Sequence, residues 1–414
     1  MTTIYKFGTL LPFLIPLLLI YSRTIAEITV IIVSILFLIK TIKEKNYIWL
    51  KNPLIIFIII FLAYLIFFNA PLSSNPLESL IYSMSYLRWP IFSFAISYWI
   101  ITSKNSLKKL IYGILFAFFF FFLDLSYQYF INPSGLFETS GSDTPLRLTI
   151  PFSNNLIPGR FILFYTFILS TIFFLNSKIA NDQKANLKIL LTIIIGTIFS
   201  FLTGERMVFL IFLSSTFLLG ITLVLDENNN FYYLFSILFF LIFFLLFGYY
   251  LLPDMFYRTI FSAIYKITNF WTSDYWEVFN VSIHKWRENI FFGAGLHQFQ
   301  NVEPIHGYNL FKNAVIYHAH NTPLNLLVET GVLGLIFFYL LIFKLINYVY
   351  IKFKFHKQLT FLILNLNLVY ICFFPLHTHF KLSHNWINAN VWFIVGLIIA
   401  FNKIYEESNK RKKN

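Results

Sequence analysis

Two histidines, His318 and His320, lie immediately before a segment whose residue pattern predicts a helix. Pro323 suits the first helical position, and Thr322 or Asn321 suits the N-cap. Apolar residues then recur with the spacing of one helix face, at Leu324, Leu327, Val328 and Gly331. We expect extended chain before the cap, in which residues two apart point to the same side.

The N-terminus of this predicted helix favours one kind of chemistry. Its free N–H groups carry partial positive charge, which disfavours imidazolium and keeps a nearby histidine neutral, as a general base must be. The same charge attracts a phosphate. Two other interpretations stay open. The histidines can be capping or packing residues at a membrane interface, or a His-x-His metal site that lacks an adjacent carboxylate or cysteine ligand.

An arginine lies in a short turn between two apolar runs, in the sequence Thr203-Gly204-Glu205-Arg206-Met207. So short a turn leaves the guanidinium at or just inside a membrane interface, where a charge is costly and usually has an anionic partner or a function. Structural explanations are pairing with Glu205 or snorkelling of Arg206. The functional explanation is a guanidinium that binds a lipid-linked phosphate through paired N–H groups.

Composition places these residues in a membrane protein. Of the 414 residues, 58% are hydrophobic and 12% are charged, whereas a soluble domain is ~45–50% apolar and ~25% charged. In water such a chain would expose large apolar patches. The composition therefore excludes a soluble enzyme, a disordered chain and a nucleic-acid-binding protein. The single Cys372 excludes a disulfide framework and a cysteine-based zinc site.

About 20 apolar residues cross a ~30 Å hydrocarbon core as a helix, and this length predicts an all-α integral membrane protein with about twelve transmembrane helices. The segments are 7–22, 25–40, 53–70, 86–102, 110–131, 157–176, 188–204, 207–225, 231–252, 326–350, 359–376 and 386–402. We therefore expect a membrane domain at 1–252 with spans 1–9, a large, partly helical outer loop domain at 253–325, and a membrane domain at 326–414 with spans 10–12 and a basic tail.

The distribution of basic residues orients the predicted spans. If the N-terminus is cytoplasmic, most of the 31 Lys and Arg residues lie on the inner side, and nearly all of those are lysines that contact anionic lipid. All the arginines except Arg411, and all the histidines except His356, fall on the outer side. Both termini are therefore expected in the cytoplasm, and the residues that could carry chemistry on the opposite face.

Several motifs in this order resemble the O-antigen ligase family and its polymerase relatives. The Arg206 turn is followed by Gly293-x-Gly295 and Phe299, then by His318-x-His320-Asn321 and Glu329-x-Gly331. The stretch from Arg147 to Asn155 is similar to the family's loop before the sixth span, so the resemblance covers about 145–335. Gly293-x-Gly295 by itself is a non-specific motif for nucleotide binding. Because no strand precedes it, we predict no dinucleotide site here.

The resemblance implies a metal-independent glycosyltransferase with no cofactor, and transfer by a single displacement would invert the anomeric centre. Such a protein moves a glycan from undecaprenyl diphosphate to an acceptor hydroxyl on the periplasmic face of the bacterial inner membrane. In a ligase the acceptor is lipid A–core, and in a polymerase it is another glycan. An alternative from a different class is a transporter of lipid-linked sugars. Transport would favour broken polar helices and paired repeats, whereas here the polar residues concentrate in one loop.

The resemblance also implies which residues act. The family's essential histidine falls on His320, with His318 as a second catalytic candidate, and its arginine at the end of the seventh span falls on Arg206. A second family arginine falls on Tyr275, and the candidates to replace it are Arg258, Lys285 and Arg287. The complete set of substrate-binding candidates is Arg206, Arg258, Arg287, Asn321 and Glu329, with no metal ligand.

Overall fold

The fold is described from a computed structural model of the protein. The described residues are 2–132, 148, 157–180, 184–226, 231–299, 319–356, 358–375 and 381–413. They form helices and connecting turns, and no strand occurs among them. His318 and the motif from Arg147 to Asn155, apart from Leu148, lie outside the described residues.

The helices follow the apolar runs of the sequence. In chain order they are α1 Thr2–Tyr21, α2 Arg23–Glu44, α3 Ile55–Tyr64, α4 Pro76–Ser85, α5 Arg88–Ala95, α6 Lys104–Phe130, α7 Pro158–Ala180, α8 Ala185–Leu202, α9 Arg206–Asp226, α10 Phe231–Leu251, α11 Pro253–Phe256, α12 Ser262–Thr268, α13 Asp274–Glu288, α14 Thr322–His356, α15 Leu359–Phe373 and α16 Asn385–Lys413. π-turns extend α3 over Leu65–Asn69 and α5 over Ile96–Ile100, and a third joins α11 to α12 over Tyr257–Phe261.

A helix lies at each of the twelve predicted spans, but their lengths differ. In the described part of the chain, six helices are long and apolar enough to cross a membrane, and they are α2, α6, α7, α8, α14 and α16. The count becomes seven if the bent pair Ile237–Leu251 and Pro253–Thr268 forms one span. These helices support an all-α membrane protein, whereas twelve spans, like the domain boundaries, stay a prediction.

Two helices form the centre of the bundle. The apolar stretch of α7 is completely buried and that of α16 is 94% buried. Several of their polar side chains bind one another or polar groups of neighbouring helices, since lipid offers no hydrogen-bond partner. The Tyr165 hydroxyl lies 2.9 Å from Asn390 Oδ1, and Asn402 Nδ2 donates to Asn365 Oδ1 at 3.2 Å. At the periphery, α2, α6 and α8 are about half-buried and turn exposed apolar side chains outwards.

The chain changes direction sharply after α10. Pro253 starts α11, and the segment Pro253–Thr268 is bent by 118° from α10. Because proline lacks an N–H group, it tends to start a new helix rather than continue the previous one. The predicted loop 253–325 thus holds short helices in its described part, namely α11, α12 and α13. The bend carries α12 towards the start of α14, where the candidate site lies.

Candidate active site

The long helix α14 is interrupted at Gly331, whose φ of 64° and ψ of −175° are not helical. The interruption releases backbone carbonyls, and a neighbouring loop supplies their hydrogen-bond donors. The N–H of Ala294 donates to Val328 O at 2.8 Å, and the N–H of Gly295 donates to Glu329 O at 3.0 Å. The loop that carries Gly293-x-Gly295 is therefore attached to the first half of α14 by backbone hydrogen bonds.

Side chains from α3 and its π-turn complete this contact between the Gly293–Gly295 loop and α14, which we call the glycine joint. The Tyr64 hydroxyl donates to Thr330 O at 2.6 Å, and Asn69 Nδ2 donates to Glu329 O at 2.9 Å. Beyond the interruption, the N–H of Val332 donates to Ile290 O at 2.9 Å. Non-helical backbone inside a membrane domain is tolerated where protein groups satisfy it, as they do here.

Close approach explains why both motifs contain glycine. A Cβ on Gly293 would lie 2.5 Å from the nitrogen of Gly331, and a Cβ on Gly331 would lie 2.2 Å from Phe291 O. A Cβ on Gly295 would lie 2.2 Å from Ser73 Cβ. All three glycines also have positive φ, which side-chain-bearing residues rarely adopt. In this protein Gly293-x-Gly295 and Glu329-x-Gly331 are two halves of one structural joint.

The first half of α14 begins beside the candidate histidine. Asn321 Oδ1 accepts a hydrogen bond from the N–H of Leu324 at 3.0 Å, so Asn321 is the N-cap that the sequence predicted at Asn321 or Thr322. Pro323 occupies the second helical position rather than the predicted first. The N–H of Thr322 donates to Pro375 O at 3.0 Å. A helix N-terminus with partial positive charge therefore lies at this point.

His320 has a left-handed backbone with φ 49°, which corrects the expectation of extended chain before the cap. This conformation is uncommon outside glycine and needs local support. The N–H of Ala319 donates to Asn325 Oδ1 at 3.3 Å, and Asn325 Nδ2 donates to Glu329 Oε2 at 3.2 Å. The Glu329 side chain is buried and also accepts a hydrogen bond from the backbone of His297. Glu329 thus supports the chain before His320.

Arg206 begins α9 directly after the turn that closes α8. Gly204 adopts a φ of 66°, and its N–H donates to Phe201 O at 3.0 Å. Buried Glu205 accepts a hydrogen bond from the N–H of Gly159 at 2.6 Å and interacts electrostatically with Arg160. Glu205 is thereby joined to the start of α7, and Arg206 is half-buried at the start of α9.

Arg206 and His320 line the same cavity, whose volume is about 340 Å³. Asn321 contributes a third polar side chain, from the start of α14. The apolar lining comes from α9, α12, the turn after α12, α13 and the residues on either side of the His320–Asn321 pair. These residues are Met207, Ala263, Ile267, Phe270, Phe279, Ala319 and Leu324. A few polar groups within apolar walls are typical of a ligand-binding cavity.

Two further residues, Lys266 and Tyr275, line this cavity, and the sequence analysis did not select Lys266 as a site residue. Lys266 on α12 lies with its Nζ 5.0 Å from the centre of the Tyr275 ring on α13. The Tyr275 ring is perpendicular to the imidazole of His320, with 6.3 Å between their centres. Lys266 is the one charged residue of α12, Ser262–Thr268. That isolated cation among apolar neighbours was the available signal, but spacing along the chain did not reveal the 118° bend that delivers it.

The structure does not bring every sequence candidate to the cavity. Arg258, Arg287 and Glu329 are absent from its described lining. Arg287 is exposed near the end of α13, and Lys285 Nζ lies 2.8 Å from Glu288 Oε2. His318 lies outside the described residues. Among the described residues, no three His, Cys, Asp or Glu side chains come together as metal ligands. Metal independence and the individual roles of these residues stay predictions.

His297 belongs to the glycine joint rather than to the cavity. Its backbone has φ 68°, and its ring lies 4.0 Å from the ring of Tyr82, measured between centres. Its Nε2 lies 4.0 Å from Glu78 Oε1. Burial lowers the pKa of His297, and the charge of Lys381 lowers it further. A neutral His297 therefore packs on α4 while its backbone binds Glu329.

His384 lies just before α16. Burial lowers its pKa to about 3, and the charges of Lys381, Arg160 and Arg23 act in the same direction. Its Nδ1 accepts a hydrogen bond from the N–H of Ile387 at 3.3 Å, which requires that nitrogen to be unprotonated. His384 is thus a neutral cap of α16.

Comparison with known proteins agrees with the sequence resemblance. Residues 191–339 match the model of a protein family described as O-antigen ligase. The match runs from α8 into the second half of α14 and includes Arg206, Lys266, Tyr275 and His320. No curated protein matches the chain. Members of the family are glycosyltransferase-like ligases and polymerases in membranes, which makes the protein an enzyme of that broad kind. The match confirms the resemblance to the O-antigen ligase family over residues 191–339 of the chain.

Proposed function

We propose that the protein is a ligase that transfers a glycan from undecaprenyl diphosphate to a hydroxyl of lipid A–core. The reaction takes place on the periplasmic face of the inner membrane, needs no metal and inverts the anomeric centre. One observation carries the proposal: Arg206 and His320, which are far apart in the sequence, line one cavity at the start of a helix. The family match supports the class of reaction.

The cavity suits a lipid-linked diphosphate. The guanidinium of Arg206 offers paired N–H donors with the geometry of a phosphate, and the capped start of α14 adds partial positive charge. A diphosphate is a good leaving group, so the protein needs to stabilise the charge on its oxygens more than to protonate it. The apolar walls raise the strength of these electrostatic interactions because they exclude water.

His320 suits activation of the acceptor. In the reaction, the acceptor oxygen attacks the anomeric carbon, and the bond from that carbon to the diphosphate oxygen breaks. The diphosphate leaves with the bonding electrons, while the proton of the acceptor hydroxyl passes to His320. The adjoining helix N-terminus favours the neutral imidazole that this step requires. General-base catalysis of this kind contributes about 10²–10⁴-fold in rate.

The surroundings of the cavity suit a membrane interface. The segment from Tyr257 to Trp271 forms part of its wall and carries large exposed side chains, among them Tyr257, Tyr265 and Trp271 at 67–68% exposure. Tyrosine and tryptophan are enriched where membranes meet water. A donor anchored in the bilayer would present its diphosphate at this depth, which supports a substrate of that class.

A polymerase of repeat units is the second candidate, because the family includes both activities and the same cavity serves both. Transport is a weaker candidate. The interrupted α14 resembles the broken helices of transporters. However, Ala294, Gly295, Tyr64 and Asn69 bind the carbonyls that the interruption frees, and such carbonyls would otherwise be available to a transported ion.

A reconstituted transfer assay tests the proposal. The purified protein in nanodiscs receives undecaprenyl diphosphate-linked glycan with or without lipid A–core, and with or without a chelator, and products are separated by electrophoresis. We expect lipid A–core to be glycosylated in chelator, and His320→Ala to stop transfer. Growth of the carrier-bound glycan without lipid A–core would identify a polymerase instead. Complete loss of activity in chelator, or full activity of His320→Ala, would overturn the mechanism.

A further inference from the structure

We propose that Lys266 is the second cation that binds the donor diphosphate, and that the ring of Tyr275 holds this cation in position. This inference rests on the proposed function, because it assigns a residue to the diphosphate of the same cavity. Spacing along the chain suggested other candidates, but those do not line the described cavity.

The geometry joins four side chains of the cavity. Lys266 Nζ lies 5.0 Å from the centre of the Tyr275 ring, within the ~6 Å over which a cation and a π-system attract each other. The same ring meets the imidazole of His320 edge to face at 6.3 Å. Arg206 lines the cavity from α9. Two cations and the proposed base thus line one cavity, and the ring of Tyr275 is close to both Lys266 and His320.

The charge of the ligand requires a second cation. A diphosphate carries more negative charge than one guanidinium neutralises, and uncompensated charge is costly within apolar walls. The lysine ammonium is a compact charge on a flexible stem, so it binds a phosphate without a fixed fork geometry. Its aliphatic stem loses rotational freedom when the ligand binds. Contact with an aromatic ring orders the side chain before binding and so reduces this entropic cost.

This arrangement also explains why the chain has Tyr275 at the position where the family resemblance implies an arginine. The resemblance implies an arginine at this position, on α13. Here α13 supplies a ring instead, and α12 supplies the charge that rests against it. The positive charge has moved from one helix to its neighbour, while the cavity keeps a cation in addition to Arg206.

Binding of lipid phosphates tests the inference without any transfer reaction. The detergent-solubilised full chain is titrated with undecaprenyl diphosphate and, separately, with undecaprenyl monophosphate, and bound lipid is counted by native mass spectrometry. We expect Lys266→Met to weaken binding of the diphosphate about tenfold, the effect of losing one charged contact, and binding of the monophosphate less than about twofold. Lys266→Arg should retain the preference of the wild type for the diphosphate.

Variants of Tyr275 test the supporting ring. Tyr275→Phe should bind both lipids like the wild type, and Tyr275→Leu should lose part of the preference for the diphosphate. The double variant Lys266→Met with Tyr275→Arg should regain it, because it returns the charge to α13. Lys285→Met is the matched control. Lys285 Nζ lies 2.8 Å from Glu288 Oε2, and Lys285 is not part of the described cavity lining.

Two results would overturn the inference. One is a Lys266→Met variant that keeps the full preference for the diphosphate. The other is a Lys285→Met variant that loses as much of this preference as Lys266→Met does. An unchanged Tyr275→Leu variant would remove the ring from the proposal. Because binding needs no acceptor, a protein that binds the diphosphate through Lys266 but transfers no glycan would refute the proposed function alone.

Discussion

Asn325 Nδ2 donates a hydrogen bond to Glu329 Oε2 at 3.2 Å, one helical turn further along α14. The other end of the Asn325 amide accepts the N–H of Ala319 at 3.3 Å, directly before His320. A buried carboxylate outside the cavity lining thereby supports the backbone of the proposed base. From this relationship we predict that Glu329 acts as a positioning residue, whereas the sequence resemblance predicted contact with substrate.

Replacing Glu329 should affect turnover rather than donor binding. Glu329→Leu removes the acceptor of Asn325 and releases the left-handed His320, and a misplaced base costs up to about 10²-fold in rate. We expect kcat to fall by about that factor with KM for the donor nearly unchanged, and Glu329→Gln to recover most of the loss because it keeps one acceptor oxygen. A Glu329→Leu variant with raised KM and normal kcat would instead place Glu329 against the substrate.

Glycan transfer should depend on the paired N–H donors of the Arg206 guanidinium as well as on its charge. Arg206→Lys keeps the charge but loses the paired donors, so we expect transfer to fall about tenfold, as for the loss of one charge-assisted hydrogen bond. The initial rate of glycan transfer at a subsaturating donor concentration measures this effect. Arg287→Lys is the control on an exposed residue. Equal rates for both variants would make Arg206 an interface anchor.

The glycine joint should not accept a side chain. In Gly331→Ala the new Cβ would lie 2.2 Å from Phe291 O, at a φ of 64°, so we expect a loss of stability of several kcal/mol and little monodisperse protein after purification. Gly248→Ala is the comparison, because its nearest contact would be 3.3 Å from Phe201 Cζ in a regular helix. Thermal unfolding in detergent measures both, and similar unfolding temperatures would contradict the joint.

Acid should destabilise the protein through His384. Burial and the charge of Lys381 lower its pKa from 6.5 to about 3, so at pH values between these two the unfolded chain binds more protons at this position than the folded chain. The contribution is complete above pH 6.5 and is lost progressively as the pH falls towards 3. We expect the unfolding temperature to drop between pH 7.5 and pH 5.0.

His384→Asn separates titration from capping in this experiment. An asparagine side chain can still accept the N–H of Ile387 as an N-cap, but it does not take up a proton. The variant should therefore lose less stability than the wild type over the same pH range. An identical pH dependence in the two proteins would assign the acid sensitivity to other groups.

Local chemistry accounts for what the sequence predicted correctly. Apolar runs of suitable length became helices, because a buried or lipid-facing backbone must satisfy its own hydrogen bonds. Asn321 caps α14 through Leu324, a contact within three residues. The match of residues 191–339 to the O-antigen ligase family confirmed a resemblance that rested on the order of short motifs. Each of these features depends on residues close together in the chain or on their order along it.

The tertiary structure decided the features that depend on distant segments. The 118° bend after α10 brings Lys266 to a cavity beside Arg206 and His320, and no spacing in the sequence encodes that angle. The left-handed φ of His320 depends on Asn325, Glu329 and the backbone of His297, which reaches them only because two glycine motifs approach within backbone contact. Helices follow from interactions between neighbours along the chain, whereas a cavity depends on the angles and contacts between helices.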